Sequence, residues 1–134
     1  MESKEQRDLA YENKDDYEKL TKDRLSPFYK RDYRDVFLLA LAMGVSKNMS
    51  RPLKKRIPNI PLRGFTEEEK WFLKSIAISK TGNMEILSDS KEIFKIAEEY
   101  ANGGIKLLVR EVFENISNYD EVLEEELREK VKNK

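Results

Sequence analysis

Residues Ile93 to Phe113 read IFKIAEEYANGGIKLLVREVF, and this stretch decides how the rest of the chain is read. Apolar or small residues at Ile93, Ala97, Tyr100, Gly104, Leu108 and Val112 recur at steps of three and four. Ile96, Ala101, Leu107 and Phe113 widen that stripe into a core-facing side. The period runs straight through two adjacent glycines. Two readings satisfy it: Gly103 is a left-handed cap that ends one helix before a second starts, or Gly104 sits inside one continuous helix where another backbone packs too closely for a side chain. In the second case each glycine costs about 1 kcal/mol relative to alanine, so a compensating contact is required.

Working outward, YRDVFLLALAMGV at Tyr33 to Val45 is the most apolar segment. Tyr33, Val36, Phe37, Ala40, Leu41 and Gly44 lie on one stripe, and Leu38, Leu39, Ala42 and Met43 nearly close the circle. Such a helix is central, and the expectation is that it packs on the Ile93 to Phe113 helix and stops at Gly44. A shorter helix over Lys14 to Arg24 buries Tyr17 and Leu20 and is ended by Ser26-Pro27. Thr66-Glu67-Glu68-Glu69 is a capping box opening a helix to Lys80, with Trp71, Phe72, Ser75, Ile76 and Ser79 read as its inward face and Thr81-Gly82-Asn83 as its end. Asn115 to Asn118 breaks the pattern, and Tyr119 to Val131 reads as a fifth helix that lays Tyr119, Val122, Leu123, Leu127 and Val131 on the domain. Between Ser46 and Phe65, SKNMSRPLKKRIPNIPLRGF holds three prolines and no helical period. It is expected to be a long ordered loop held by Leu53, Ile57, Ile60, Leu62 and Phe65. No run of β-branched residues shows a period of two. The fold class expected is all-α: a single compact domain of about five helices over residues 14–134, preceded by a flexible segment over residues 1–13.

With 134 residues the chain suits one domain. Its 26 basic and 26 acidic residues cancel, so no global field favours nucleic acid or a membrane. Neither cysteine nor histidine occurs, which removes disulfides, thiol nucleophiles, the usual zinc ligands and histidine acid–base chemistry. The acid runs Glu67 to Glu69 and Glu124 to Glu126 point in different directions around a helix and read as a helix start and a solvated face. The expectation is therefore a protein without catalytic residues, metal or cofactor. The polar start MESKEQRD and the absence of any apolar run near eighteen residues lead to the expectation of neither signal peptide nor membrane span, and of a cytoplasmic location.

Charge is segregated locally. From Val36 to Thr66 no acidic residue occurs, where the average density would place about six. The same interval carries Lys47, Arg51, Lys54, Lys55, Arg56 and Arg63, candidates for phosphate contact, with Asn48, Ser50 and Asn59 as neighbouring donors. The competing reading is that these cations pair with the acidic C-terminal helix, where Glu111 to Lys134 holds eight acids and four bases, or are merely solvated. Beside the glycines, Glu98, Glu99, Tyr100 and Asn102 form with Gly103 and Gly104 the polar motif to watch, although a solvent face around a buried tyrosine explains it equally. Tyr29, Tyr33, Arg31 and Arg34 mix aromatic and basic character, which suits either stacking beside phosphates or a helix start resting on the core.

Ser26-Pro27-Phe28, DVFLLALAMG at Asp35 to Gly44 with Arg51-Pro52-Leu53 after it, AISKTGN at Ala77 to Asn83 and EEYANGGI at Glu98 to Ile105 together resemble a family of small prokaryotic proteins. That family is called DNA phosphorothioation-associated protein 4, or dnd system-associated protein 4. The resemblance covers roughly Tyr17 to Phe113. It implies an accessory part in antiphage defence, beside systems that place sulfur in the DNA backbone or restrict DNA lacking it, and it brings no catalytic residue. The implied partners are double-stranded DNA or other proteins of a DNA-modification or restriction complex. The alternative is a helical interaction or oligomerisation module that never touches nucleic acid.

Overall fold

The computed structural model describes residues 8–132, with side chains described to residue 114. Its elements in order are strand β1 (Asp8–Tyr11), helix α1 (Lys14–Lys22), helix α2 (Tyr33–Ser46), strand β2 (Ile57–Pro61), helix α3 (Glu67–Thr81) and helix α4 (Ser90–Lys132). Short 3-10 turns at Leu62–Gly64 and Met84–Ser88 lead into α3 and α4. The architecture is mainly helical, as expected, with four α-helices among the described residues instead of five and with a two-stranded antiparallel sheet.

Helix α4 is the axis. Ile93, Ala97, Tyr100, Ala101, Ile105, Leu108 and Val112 are all buried, so the stripe of the organising stretch faces the core throughout its length. The helix passes unbroken through Gly103 and Gly104, which selects the second of the two readings of the glycines. α2 lies along it, burying Val36, Phe37, Ala40, Leu41 and Gly44. The two backbones meet at the small residues. A Cβ on Gly104 would lie 1.9 Å from the Ala40 carbonyl oxygen and 2.6 Å from the Gly44 nitrogen, and one on Gly44 would lie 1.9 Å from the Tyr100 oxygen. Gly44 therefore makes the crossing and does not end the helix: α2 runs on to Ser46, and Asn48, at φ +53, takes the left-handed turn that follows.

Four further expectations are corrected. Asp8–Tyr11, at the end of the segment read as flexible, is a strand whose Leu9, Ala10 and Tyr11 are buried; residues 1–7 lie outside the described residues. It pairs antiparallel with β2, Leu9 opposite Ile60 and Tyr11 opposite Ile57, with a register shift between Leu9 and Ala10. Half of the supposed loop is thus strand and 3-10 turn, although Ile60, Leu62 and Phe65 do anchor it as expected. The break expected at Asn115 to Asn118 is absent because that stretch holds neither glycine nor proline, and α4 continues to Lys132. Side chains proposed to pack beyond it, Tyr119 to Val131, lie outside the described ones. In α3 the inward face is Leu73, Ile76 and Ala77, leaving Trp71 54% exposed and Phe72 37% exposed. The Lys74 ammonium covers the Trp71 ring at 4.5 Å, so the indole face is shielded by its own helix.

The local punctuation behaves as read. Thr66 Oγ1 accepts from the Glu69 amide at 3.1 Å and the Glu69 carboxylate accepts from the Thr66 amide at 2.9 Å. Gly82, at φ +67, closes α3 by donating its N–H to Ile78 at 2.7 Å. Asp89 caps α4 through the Glu92 amide at 3.1 Å.

Gly104→Ala should lower stability by about 2 kcal/mol or more, because a backbone carbonyl cannot give way as a side chain can. The clash must outweigh the roughly 1 kcal/mol that alanine gains as a helix former. Gly82→Ala meets open space but holds a left-handed backbone, at a cost of about 1–2 kcal/mol. Gly64→Ala, with open geometry and only the Arg34 guanidinium at 3.7 Å, should stay within about 0.5 kcal/mol. Urea unfolding of the three variants checks that order, and an unchanged or raised midpoint for Gly104→Ala contradicts the crossing.

Candidate nucleic-acid interface

The proline-rich basic segment lies against the middle turns of α4, where Glu98, Glu99, Asn102 and Gly103 of the motif have a part in holding it. Immediately after α2, the Met49 N–H donates to the Gly44 carbonyl at 2.7 Å. The Met49 carbonyl oxygen rests against Gly103, 2.1 Å from where a Cβ would stand. The Arg51 N–H donates to the Glu99 carbonyl at 2.9 Å. Asn102, buried at 6% exposure, donates its amide to the carbonyls of Arg51 at 3.1 Å and Pro52 at 3.3 Å, while its own oxygen accepts from Asn13 Nδ2 at 3.1 Å. One buried amide thus joins three segments distant in sequence.

Two residues on, Glu12 takes over. Its carboxylate accepts from the backbone N–H groups of Lys54 and Lys55, the latter at 3.1 Å. These two bonds to the charged form, the Lys55 amide contributing most, hold the Glu12 carboxyl below the ordinary glutamate value of 4.5. Because the folded value is the lower one, the stabilisation is present above the ordinary value and lost as pH falls through the depressed one. At the far end of the segment the Arg34 guanidinium donates to the Gly64 carbonyl.

Glu98 is the buried member of the set. Its side chain is 3% exposed, accepts the Ala10 N–H at 2.8 Å, and receives Arg56 Nη2 on both oxygens at 3.0 and 2.9 Å. A carboxylate at this depth requires such partners, since an uncompensated buried charge costs several kcal/mol. β1 and the basic segment are therefore tied to the same side chain. Arg56 is at once a structural cation and, at 45% exposure, a surface one.

Lys47, Arg51, Lys54, Lys55 and Arg63 are exposed, and the hydrogen bonds shown for this segment are made by its main chain and by the side chains of Asn48, Arg56 and Asn59. Fixed backbone and solvent-facing cations together make a positive surface whose ordering cost is already met in folding. Sequence reasoning missed one neighbouring cation: Lys80, from α3, donates to Asn48 Oδ1 at 3.3 Å and stands 5.0 Å over the buried Tyr100 ring. It also missed Glu12, Asn13 and Arg34 as clamps, because nothing in their local pattern signals a partner some thirty to ninety positions away. The Glu124 to Glu129 acids, the competing partners of these cations, lie outside the described side chains. Tyr33 joins Tyr11 and Tyr17 in a ring cluster with centroids 4.6 to 5.5 Å apart, and burial pushes the Tyr33 hydroxyl up. Its mixture with Arg34 is thus a helix start on the core, the second of the two readings of that mixture. Among the described residues no group of three or more acids is gathered closely enough to hold a metal ion, and no helix is long and apolar enough to cross a membrane.

A family model described as DNA sulphur modification system-associated protein 4 matches residues 9–134, which extends past both ends of the stretch that carries the resemblance. No curated protein and no solved structure matches the chain.

Glu98→Ala should destabilise by about 2–4 kcal/mol, since it leaves the Ala10 N–H without its acceptor in the core and releases Arg56 from the body. A Lys54→Gln/Lys55→Gln double variant should change stability by less than about 0.5 kcal/mol, because only the backbones of those residues are bound. Chemical denaturation distinguishes the two, and equal losses would contradict the division between clamp and exposed cation.

Proposed function

Because the chain belongs to the family of DNA sulphur modification system-associated protein 4, we propose that it is a non-enzymatic accessory protein of such a system, serving antiphage defence from the cytoplasm and meeting DNA through the cationic surface on α4. The observation that carries this reading is the pairing of a segment free of acids with a main chain pinned at Met49, Arg51, Lys54 and Lys55, so that its charged groups face outward. Asn102 and Glu12 hold the backbone of this segment, and the buried Glu98 carboxylate holds its Arg56. The contact residues in this reading are Lys47, Arg51, Lys54, Lys55 and Arg63. Arg56 contributes from its exposed part while remaining tied to Glu98.

The second reading is a protein–protein module, with the same surface meeting an acidic partner of the modification or restriction complex. The exposed Trp71, Phe72 and Met84, on α3 and the turn after it, favour a partner that reaches beyond that surface, since apolar side chains at the surface are the material of interface anchors.

Lys54→Gln/Lys55→Gln should weaken DNA binding in a fluorescence anisotropy titration at low salt and flatten the dependence of log K on log salt by up to about two units, one for each phosphate that the variant no longer neutralises. Arg56 is left in place so that folding is not disturbed. Wild-type protein that binds no DNA at low salt, or a double variant that binds as well as wild type, would overturn the DNA reading. Loss of a co-purifying protein in the double variant would favour the second one.

A further inference from the structure

Resting on the DNA reading above, we infer that the partner of the cationic surface is duplex DNA of any sequence, gripped through its phosphates, and not a single strand or a particular base sequence. Residues 46–64 contain no aromatic side chain, so the segment offers no ring on which an unpaired base can stack. Stacking on aromatic rings is the main attraction that single-strand binders add to charge. The tyrosine beneath the surface, Tyr100, is buried and covered by Lys80. Exposed aromatics lie elsewhere: Trp71 and Phe72 on α3, with Lys74 over the indole, and Tyr29 in the turn before α2 with Lys30 at 5.4 Å from its ring.

Three of the side chains suited to reading base edges are already engaged, and the exposed Arg51 and Arg63 are assigned to phosphates in this reading. Asn48 Oδ1 accepts from Lys80, Asn102 is buried and bonded through both its oxygen and its nitrogen, and Arg56 is held by Glu98. The backbone that carries the remaining cations is bound along α4. Its strand β2 pairs with a strand whose Leu9, Ala10 and Tyr11 are buried, so this ribbon cannot slide as a unit into a major groove that admits a helix or a free two-stranded ribbon. What it presents is an outer face. A fixed array of charges matches a stiff polyanion, whose phosphates keep their spacing over a persistence length of about 50 nm, better than a flexible strand that must be ordered on binding.

The test is an anisotropy titration of the full chain against three unrelated duplexes of about 20 base pairs and against their separated strands, each over a salt series. The expected result is that every duplex binds at least about tenfold more tightly than its strands, that the three duplexes agree within about twofold, and that their salt slopes coincide at no more than about 5.4, the limit for six phosphate contacts. Single strands that bind as tightly as duplex, or duplexes that differ by more than about tenfold, would overturn this inference while leaving DNA contact intact. Binding to neither form would overturn the DNA reading itself, and this inference with it.

Discussion

The structure depends on one contact: backbone against backbone where α2, at Gly44 and Gly104, and the residues leaving it, at Gly103, cross α4. With carbonyl oxygens about 2 Å from where a methyl group would stand, no other residue fits at these three positions without moving a helix. Glycine inside a helix is unfavourable by about 1 kcal/mol, so α4 accepts roughly twice that over Gly103 and Gly104 in exchange for an approach that buries the flanking Ala40, Leu41, Ala97, Tyr100 and Ala101. The approach also sets everything that comes next along the chain. Since α2 ends beside Gly103, the residues leaving it run directly over α4, within reach of the Glu99 carbonyl and the Asn102 amide.

From that starting point the basic segment is built by satisfying polar groups one after another. Its carbonyls at Arg51 and Pro52 go to Asn102, its amides at Lys54 and Lys55 to Glu12, and its Arg56 to Glu98. Glu98 in turn supplies an acceptor for the Ala10 amide of β1. The result separates two kinds of charge. Glu98 and Arg56 hold the surface together, and the lysines and arginines around them are free of any comparable duty among the hydrogen bonds of the described residues. The stretch EEYANGGI is accounted for by this division: its acids and its asparagine hold the segment, Gly103 admits it, Gly104 admits α2, and its tyrosine and isoleucine are core.

Legibility in the sequence followed the range of the forces involved. The core face of α4, the stripe of α2, the capping box at Thr66 and the left-handed stop at Gly82 are local patterns, and each could be read from residues three or four apart. β1 could not. Its three buried residues, Leu9, Ala10 and Tyr11, are consecutive and show no alternation, and its partner strand contains two prolines and lies some fifty positions away. On α3 the expected inward face keeps only Ile76: Leu73 and Ala77 complete it, while Trp71 finds its cover in Lys74. For the candidate surface, its cations were visible as a run without acids. The reason they are held in place was not, because Glu12, Glu98 and Asn102 act across forty to ninety residues and carry no local signature of it.

The central claim is that the basic segment is part of the folded body and not a flexible loop, which native-state amide hydrogen exchange at Met49 and Arg51 measures directly. Both N–H groups are bound to helix carbonyls, at Gly44 and Glu99, so they should open only when the α2–α4 crossing opens. The account predicts that they exchange as slowly as the buried amides of α4 around Tyr100 and Ala101. Exchange at Met49 and Arg51 near the rate of an unstructured peptide, while those α4 amides stay protected, would contradict it.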